Sequence, residues 1–334
     1  MFNQDLGIDL GTANTLVFAR GKGIIFQESS VIALEETSRK VLAVGTAAKE
    51  MIGRTPANII ATNPLSGGVI ADFDSARVML QHFIRKANYR HLGKPRVIIG
   101  IPSSITEVER RAVSDAALQA GCKEAYLIEE PIAAAIGADL DIEGPTGHMV
   151  IDIGGGTTDI AIISLGGIVA NLSLKVAGNK MDEAIVNHVR RKHNLLLGER
   201  TAEQIKITIG SAFPKFNRTM TARGFDMVTR LPKAIELSSE EIAEALADPV
   251  AQITRAARTV IEKCPPELVG DIWERGIVLT GGGSLLDGLA EVVAAETGLP
   301  AAVAENPIAA VALGTGKALE QMGKLKQLIR LRRN

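Results

Sequence analysis

Aromatic side chains and cysteines are scarce in this sequence. Phe, Trp and Tyr make up 3% of the 334 residues, so the core must be built mainly from Ile, Val, Leu and Ala. The two cysteines, Cys122 and Cys264, have neither a CxxC nor another metal-ligand spacing. Together with the absence of a recognisable signal peptide, this pattern predicts reduced thiols in a cytosolic protein.

Other absences narrow the class of protein further. No apolar run reaches the roughly 18 residues expected of a transmembrane helix. The formal net charge of -1 argues against a nucleic-acid partner, because such proteins usually present a strongly basic surface. The five histidines have no HxxxH spacing, and no Ser-His-Asp nucleophile signature is found. The length fits about two domains of roughly 150 residues each.

Strand-like runs alternate with helical patterns, which indicates an α/β fold. The apolar run Arg96–Pro102 precedes a helical pattern over Thr106–Gly121, and Thr106 with Glu109 forms a predicted capping box. A further strand is predicted over Ala125–Pro131. The polar, turn-rich segment Asp141–His148 is the predicted boundary between two halves.

A strand, glycine turn, strand pattern occurs twice, as "DLGTANT" (Asp9–Thr15) and "DIGGGTT" (Asp152–Thr158). We expect the glycines to adopt φ > 0, so that the turn amides form a nest that binds phosphate. Asp9 and Asp152 lie at the strand ends, where carboxylates can hold Mg²⁺ largely through its waters. Two simple β-turns that need glycine are the alternative. The pairing of the motifs favours a clamp that holds a polyphosphate from both sides.

Nine short motifs then support a family resemblance: "DLGTANT", "GRTP", "GVIADF", "VERRA", "EEPIAAAIGA", "DIGGGTTD", "KMDEAI", "GERTAEQIK" and "LTGGGSLL". They span residues 5 to about 316 in family order. The sequence resembles the actin, Hsp70 and sugar-kinase superfamily and, within it, the MreB family of bacterial actin homologues. The hairpins alone are moderately specific, whereas the ordered set is highly specific.

The resemblance implies an α/β, actin-like two-domain fold, in which duplicated sheet-and-helix cores surround a central nucleotide cleft and each half carries a smaller insert. The expected first core (IA) comprises residues 1–30, 73–145 and 315–334, with its insert (IB) at residues 31–72. The second core (IIA) comprises residues 146–178 and 249–314, with its insert (IIB) at residues 179–248.

The resemblance also implies ATP and Mg²⁺ in the cleft. The predicted phosphate-binding residues are Gly11, Thr12, Ala13, Asn14, Gly154, Gly155, Gly156 and Thr157.

Glu130 is expected to orient or deprotonate the attacking water, with the Thr157 hydroxyl helping. Neighbouring strand residues point to opposite faces, so only one of Glu129 and Glu130 can face the cleft. A charge pair at a helix N-terminus is the alternative interpretation of these two residues.

The nucleoside is expected beside a helix and a third glycine turn. Glu203, Gln204, Ile205 and Lys206 would lie near ribose and base, although an i,i+3 ion pair between Glu203 and Lys206 is the simpler interpretation. Backbone at Thr280, Gly281, Gly282 and Gly283 would lie against the adenine, and a plain strand-to-helix turn is the alternative there. Asp182 is interpreted as an ordinary acid early in a helix.

Several positions depart from the family pattern. Ser66 and Gly67 replace a common basic-acidic pair, Asn179 replaces a usual Asp, and Ala57 stands where Gly is typical. We expect none of them to touch the phosphate hairpins. Asn179 is expected to alter contacts beside the nucleoside, and Ser66 with Gly67 to alter a subunit contact.

The function implied is that of a filament-forming cytoskeletal protein at the inner face of the cytoplasmic membrane, which guides cell-wall synthesis together with membrane proteins of the elongation machinery. ATP hydrolysis would time filament dynamics. A small-molecule kinase of the same superfamily is the alternative, although no acceptor-site motif is evident. An Hsp70-like chaperone would need a peptide-binding domain, for which we expect no room after the nucleotide fold.

Two segments are candidates for contact with the membrane. The loop Asn88–Pro95 carries Tyr89 and Leu92, and the resemblance implies a membrane-contacting hydrophobic loop in this region. The basic tail from Lys317 would be amphipathic as a helix, because Leu325, Leu328 and Ile329 recur at i, i+3 and i+4. A solvated terminus is the alternative for the tail.

Overall fold

A computed structural model describes residues 4–88, 93–321 and 330–332 of the chain. Two main sheets and three small ones are formed by these residues. The strands, in chain order, are β1 (Leu6–Leu10), β2 (Asn14–Ala19), β3 (Gly23–Ser29), β4 (Ile32–Glu35), β5 (Val41–Val44), β6 (Ile59–Thr62), β7 (Leu65–Ser66), β8 (Val69–Ile70), β9 (Arg96–Ile101), β10 (Glu124–Glu129), β11 (His148–Ile153), β12 (Thr158–Ser164), β13 (Gly167–Leu174), β14 (Leu195–Leu196), β15 (Thr219–Asp226), β16 (Pro232–Ser238), β17 (Ile277–Thr280), β18 (Ala301–Val303) and β19 (Arg330–Arg332).

Helices cover the faces of these sheets. They are α1 (Thr46–Lys49), α2 (Phe73–Asn88), α3 (Glu107–Gln119), α4 (Glu130–Gly137), α5 (Gly178–His193), α6 (Glu199–Ile209), α7 (Ser239–Glu262), α8 (Pro266–Arg275), α9 (Leu289–Thr297) and α10 (Ala310–Glu320), with short 3-10 turns at Gly282–Leu285 and Pro307–Ala309. The predicted capping box of α3 is confirmed, since the Thr106 side chain accepts from the Glu109 amide and the Glu109 side chain accepts from the Thr106 amide.

The two main sheets share the same arrangement of five strands, and the first has an additional edge strand, β19. The first has the order β19-β10-β9-β1-β2-β3, and the second has the order β13-β12-β11-β17-β18. In each, an antiparallel three-stranded meander is extended by two parallel strands on the side of its first strand. The duplication expected from the repeated hairpins is therefore confirmed, as is the predicted α/β class.

Each main sheet has its own hydrophobic core. Around the first sheet, Ile8 and Ile99 pack with Met79 and Phe83 of α2, and all four side chains are fully buried. Around the second, the buried side chains of β11 and β12 pack with those of α5, α7 and α9. Burial of this aliphatic surface, worth roughly 25 cal/mol per Å², stabilises the two halves.

Helices α4 and α10 join the halves where they cross. A Cβ added to Gly137 would overlap the backbone of Ala310, and one added to Gly314 would overlap the backbone of Ala133. The two helices therefore touch backbone to backbone, which only residues without a side chain permit. Both helices are short and rich in small residues, as this close packing requires.

Each insert contains a small sheet. The order β5-β4-β6 lies within the first predicted insert, and the order β14-β15-β16 lies within the second. A two-stranded hairpin, β7-β8, follows the first of these sheets along the chain.

The structure describes two parts of the tail: Lys317–Glu320 are the end of α10, and Arg330–Arg332 form an edge strand antiparallel to β10. A backbone edge available on β10 explains this strand, because local sequence patterns give no information about such long-range pairing. The loop residues Tyr89 and Leu92 and the apolar tail residues Leu325, Leu328 and Ile329 lie outside the described residues. Among the described helices, none is long and apolar enough to cross a membrane.

Candidate functional site

The two predicted glycine hairpins meet face to face. The turn between β1 and β2 (Gly11–Asn14) touches the turn between β11 and β12 (Gly154–Thr157), since a Cβ on Gly155 would lie 2.6 Å from the Ala13 Cβ. A Cβ on Gly156 would likewise overlap the Thr12 side chain. The expectation of φ > 0 is wrong, because none of these glycines has a positive φ. Glycine is needed here for the close approach of the two turns.

A cavity of about 450 Å³ opens beside the paired turns. The predicted residues that line it are Asp9, Gly11, Thr12, Ala13, Asn14, Glu130, Asp152, Gly154, Gly155, Gly156, Thr157, Glu203, Lys206, Gly281, Gly282 and Gly283. The structure thus brings together residues from seven of the nine motifs, whereas no residue of "GRTP" or "VERRA" lines the cavity.

Three predicted residues do not line the cavity. Gln204 is exposed and Ile205 is fully buried in the second core, because a helix turns about 100° per residue and presents only one face to the cleft. Two other residues of this region line the cavity instead: Ile207 in α6, and Gly210 directly after the end of α6. Neither was predicted from the sequence. Thr280 is buried behind the cavity, where its hydroxyl donates to Asp152 Oδ1 over 2.7 Å.

Asp9 and Asp152 face the cavity from equivalent positions in β1 and β11. Burial, reinforced by the charge of Asp152, raises the pKa of Asp9 to about 8. Burial also raises the pKa of Asp152 to about 7, against the stabilising hydrogen bond from Thr280. Because each of these two carboxylates is destabilised in its ionised form, a cation placed beside them is favoured.

Glu130 and Glu129 point to different surroundings, as expected. Glu130, the first residue of α4, is 7% exposed and lines the cavity. Burial raises its pKa well above the ordinary value, and the charges of Asp159, Asp9 and Asp152 add to the effect. Glu129 turns away and lies 3.8 Å from the Arg110 guanidinium.

A fourth acid, Asp159, was not singled out from the sequence. It is fully buried, and its Oδ1 accepts from the Ser103 amide and hydroxyl over 2.9 and 2.8 Å. This contact ties the loop after β9 in the first half to the second hairpin. The signal available in the sequence was the acid at the end of "GGGTTD", two residues after Thr157.

Another part of the cavity wall combines ion-paired side chains with exposed apolar side chains. Glu203 pairs with Lys49 of α1 over 2.9 Å, and Lys206 pairs with Asp182 over 2.8 Å, so the simple Glu203–Lys206 ion pair is not what these residues form. Lys206 also donates to the Gly178 carbonyl over 2.8 Å. Asp182 therefore helps to position a cleft lysine, a role that the sequence did not reveal.

Three hydrophobic residues of this wall were also missed. Ile207, Leu285 and Ile308 line the cavity although each is substantially exposed, which leaves apolar surface for a flat ring to cover. Ile308 belongs to "NPIAA", which repeats the pattern of "EPIAA" at the start of α4. That internal repeat was the available signal.

One expectation about the family departures is wrong. The Asn179 amide donates to the Gly155 carbonyl over 2.8 Å, so this position does touch the second hairpin. Next to Gly67, the Gly68 amide donates to the Thr12 hydroxyl over 3.0 Å. The β7–β8 turn and the start of α5 therefore both brace the glycine turns. These contacts were not predictable from the sequence, because the contacting residues lie far from the hairpins in the chain.

Comparisons with known proteins fit this geometry. A family model described as "MreB/Mbl protein" matches residues 3–327. The chain belongs to the MreB/Mbl family. The cell shape-determining protein Mbl of Bacillus subtilis (strain 168) is 53% identical over 327 residues, which cover 97% of this chain and 98% of the relative. MreB of Escherichia coli (strain K12) is 50% identical over 329 residues, covering 96% and 95%.

Solved structures of other proteins agree with the fold. MreB5 of Spiroplasma citri bound to ADP superposes with a TM-score of 0.92 at 37% identity, covering 97% of this chain and 98% of the other. The same protein bound to AMPPNP gives 0.92 at 38% identity, covering 98% and 99%. The MamK double helical filament, at 24% identity and a TM-score of 0.82 with 96% and 99% covered, shares the fold. The actin-like fold is thus established for this chain.

Proposed function

We propose that this chain binds ATP in the cleft, hydrolyses it, and uses the nucleotide state to control assembly into membrane-associated filaments that direct cell shape and cell-wall synthesis. The proposal rests on one observation. Two glycine turns, one from each duplicated sheet, meet at a single cavity that also contains the buried Glu130. A ligand in this cavity contacts both halves, so its state can bias their relative position.

The glycine turns around the cavity fit a nucleotide. A Cβ on Gly282 would meet no atom within 4 Å, and Gly282 lacks a positive φ. Packing within the protein therefore gives no reason for glycine at this position, whereas a ligand lying against the backbone does. Gly154 also lines the cavity, and a Cβ there would meet one atom within 4 Å, the Thr157 carbonyl oxygen at 3.3 Å. MreB5 of Spiroplasma citri, bound to ADP or AMPPNP, supports a nucleotide here.

Asp9 and Asp152 fit Mg²⁺. Both are acids in the cavity with a raised pKa, and a divalent cation would favour their ionised forms. In the described part of the chain, no group of three or more His, Cys, Asp or Glu side chains could hold a metal. Two carboxylates that act largely through water suit Mg²⁺, which keeps several of its waters. Bound there, the ion would neutralise charge on the phosphates.

Glu130 is the proposed base. Its carboxylate orients the attacking water and accepts its proton, and a raised pKa suits a group that takes up a proton near neutral pH. The Thr157 hydroxyl, in the adjoining turn, helps to position the same water. Asp159 and Ser103 hold the surrounding loop and hairpin in register.

The apolar wall formed by Ile207, Leu285 and Ile308 is proposed to cover the base, with Glu203 and Lys206 near the ribose. Lys49 extends this side from the first insert, because its ion pair with Glu203 connects the two inserts across the cleft. Closure around a nucleotide would therefore involve both inserts as well as both cores.

Self-association is supported by relatives named as cell shape-determining proteins and by an exposed apolar tip. Phe225, Met227, Val228 and Leu231 protrude around the β15–β16 turn, with Val228 74% exposed. Such a cluster marks an interaction surface. A head-to-tail contact that does not close into a ring would yield an open filament.

The alternative is a small-molecule kinase of the same superfamily. Labelled ATP incubated with a panel of sugars and carboxylic acids separates the two functions. We expect phosphate transfer to water alone, and sedimentation of the protein only when nucleotide is present. Transfer to one of the acceptors, without a sedimenting fraction, would favour the kinase.

Asp9→Asn should stabilise the nucleotide-free protein. The folded-state pKa of Asp9, about 8, lies above the ordinary value of 3.8, so the stabilising contribution of Asp9 is complete below about pH 4 and is lost as pH rises to about 8. The neutral Asn avoids this loss. We expect the melting temperature of Asp9→Asn to exceed that of the parent by at least ~2 °C at pH 8, with a smaller gain at pH 6.

Thermal unfolding without nucleotide or Mg²⁺, at both pH values, measures this effect. Asp74→Asn, at an exposed acid of α2, is the matched control. An equal or lower melting temperature for Asp9→Asn at pH 8 would show that the Asp9 carboxylate is not destabilised by the cavity.

Binding to anionic membranes should require the loop at Tyr89–Leu92 or the basic tail. Each Lys or Arg near an anionic surface adds about 1 kcal/mol, and a filament multiplies weak contacts through avidity. We expect assembled parent protein to co-sediment with anionic liposomes, and Leu92→Ser combined with truncation after Gly323 to remain largely in the supernatant. Each single change is the control for the other. Full binding by the combined variant would mean that neither segment is the contact.

A further inference from the structure

A second groove lies away from the nucleotide cleft, between β5 and α2. Its volume is about 600 Å³. Val41, Val44 and Val78 provide an apolar floor, and His82, Arg85 and Lys86 provide a polar rim. The helix residues recur at i, i+4, i+7 and i+8, so they share one face of α2.

One side of this groove is an unpaired sheet edge. In the order β5-β4-β6, the terminal strand β5 pairs with β4 alone among the described strands. The other edge of β5 therefore presents backbone N–H and C=O groups to which no described strand is paired. Val41 and Leu42 of this strand are 37% and 45% exposed.

The rim carries positive charge that the protein does not neutralise. Lys86 pairs with Glu28 over 2.5 Å and lies over the Phe26 ring, so its charge is compensated. Arg85 is exposed, and no carboxylate within the described residues forms an ion pair with it. Lys40, immediately before β5, adds another exposed cation. Glu28 is already used by Lys86 and by the amide and hydroxyl of Thr46.

We propose that this groove binds an extended acidic peptide segment of a partner protein. The segment adds to the free edge of β5 as a further strand, places alternate apolar side chains against the valine floor, and directs its acids toward Arg85. Backbone pairing supplies affinity in this mode of recognition, and the side-chain pockets supply specificity. The edge favours a peptide over a lipid surface, because lipid headgroups offer no backbone to extend the sheet.

The test uses the full-length chain and a fluorescein-labelled peptide in which Val alternates with Asp and Glu over seven residues. Fluorescence anisotropy measures its binding. A peptide with Lys in place of the acids tests charge, and one methylated at alternate backbone nitrogens tests strand pairing. Arg85→Glu is compared with Arg190→Glu, which reverses an exposed charge on α5, and circular dichroism confirms that both variants are folded.

We expect the acidic peptide to bind the parent and Arg190→Glu equally, and Arg85→Glu at least ~10-fold more weakly. The lysine peptide and the N-methylated peptide should each lose most of their affinity. Equal binding by Arg85→Glu or by the N-methylated peptide would overturn the proposal, as would absence of binding to the parent. If Arg85→Glu reduces binding to anionic vesicles but not to the peptide, the groove is a lipid site and the proposal is wrong.

Discussion

Glu130→Ala should reduce phosphate release from ATP by about 10²- to 10⁴-fold while ATP binding stays close to that of the parent. The carboxylate is buried at the cavity wall, and its proposed role is to orient the attacking water rather than to bind the nucleotide. The pKa of Glu130 is raised by burial and further by neighbouring acids, so removing its carboxyl group also removes repulsion. Affinity for the anionic nucleotide should therefore not fall.

A phosphate-release assay and a titration with a fluorescent ATP analogue measure the two effects separately. Glu129→Ala is a matched control, since it removes the adjacent glutamate, which faces Arg110 instead of the cavity. This control should retain hydrolysis. If Glu130→Ala hydrolyses ATP as fast as the parent does, another group is the base.

Gly155→Val should abolish productive Mg·ATP binding, with a loss of roughly 10²-fold or more. The new Cβ would lie 2.6 Å from the Ala13 Cβ, so the two glycine turns must separate. A displacement of about 1 Å of such positioning groups costs on the order of 10²-fold. Gly144→Val is the control, because a Cβ there meets no atom within 4 Å.

A substitution of Asp152 tests the same pair of glycine turns by removing a negative charge beside them. Asp152→Asn keeps an oxygen for the Thr280 hydroxyl but removes the carboxylate, so Mg²⁺-dependent affinity should weaken sharply, while affinity measured with EDTA should change little. Parent-like binding of Mg·ATP by both Gly155→Val and Asp152→Asn would mean that the hairpins are turns only.

Local sequence patterns predicted the parts of the site that lie within one motif. The two Asp-Gly-Thr hairpins, the helix beginning at Glu130 and the capping box of α3 each depend on residues close in the chain. Their pairing across the cleft followed from the duplication, because equivalent turns of equivalent sheets face the same cavity.

Contacts between distant segments were not predictable in this way. Lys49 meets Glu203 across 154 residues, and the Asn179 amide meets Gly155 through the start of a helix. The predicted nucleoside contacts on α6 were four consecutive residues, which do not follow the 3.6-residue period of a helix. Exposed Gln204 was therefore included and Ile207 was omitted. The tail at Arg330–Arg332 forms a strand because β10 offers it an edge, which no local pattern encodes.

Electron cryomicroscopy of the purified chain with Mg·ATP on an anionic lipid surface tests the central claim most directly. We expect open, head-to-tail filaments, with triphosphate density between the turns Gly11–Asn14 and Gly154–Thr157 in every subunit. Samples without nucleotide should contain few or no filaments. Monomers alone under the same conditions, or filaments whose subunits hold nucleotide elsewhere, would contradict it.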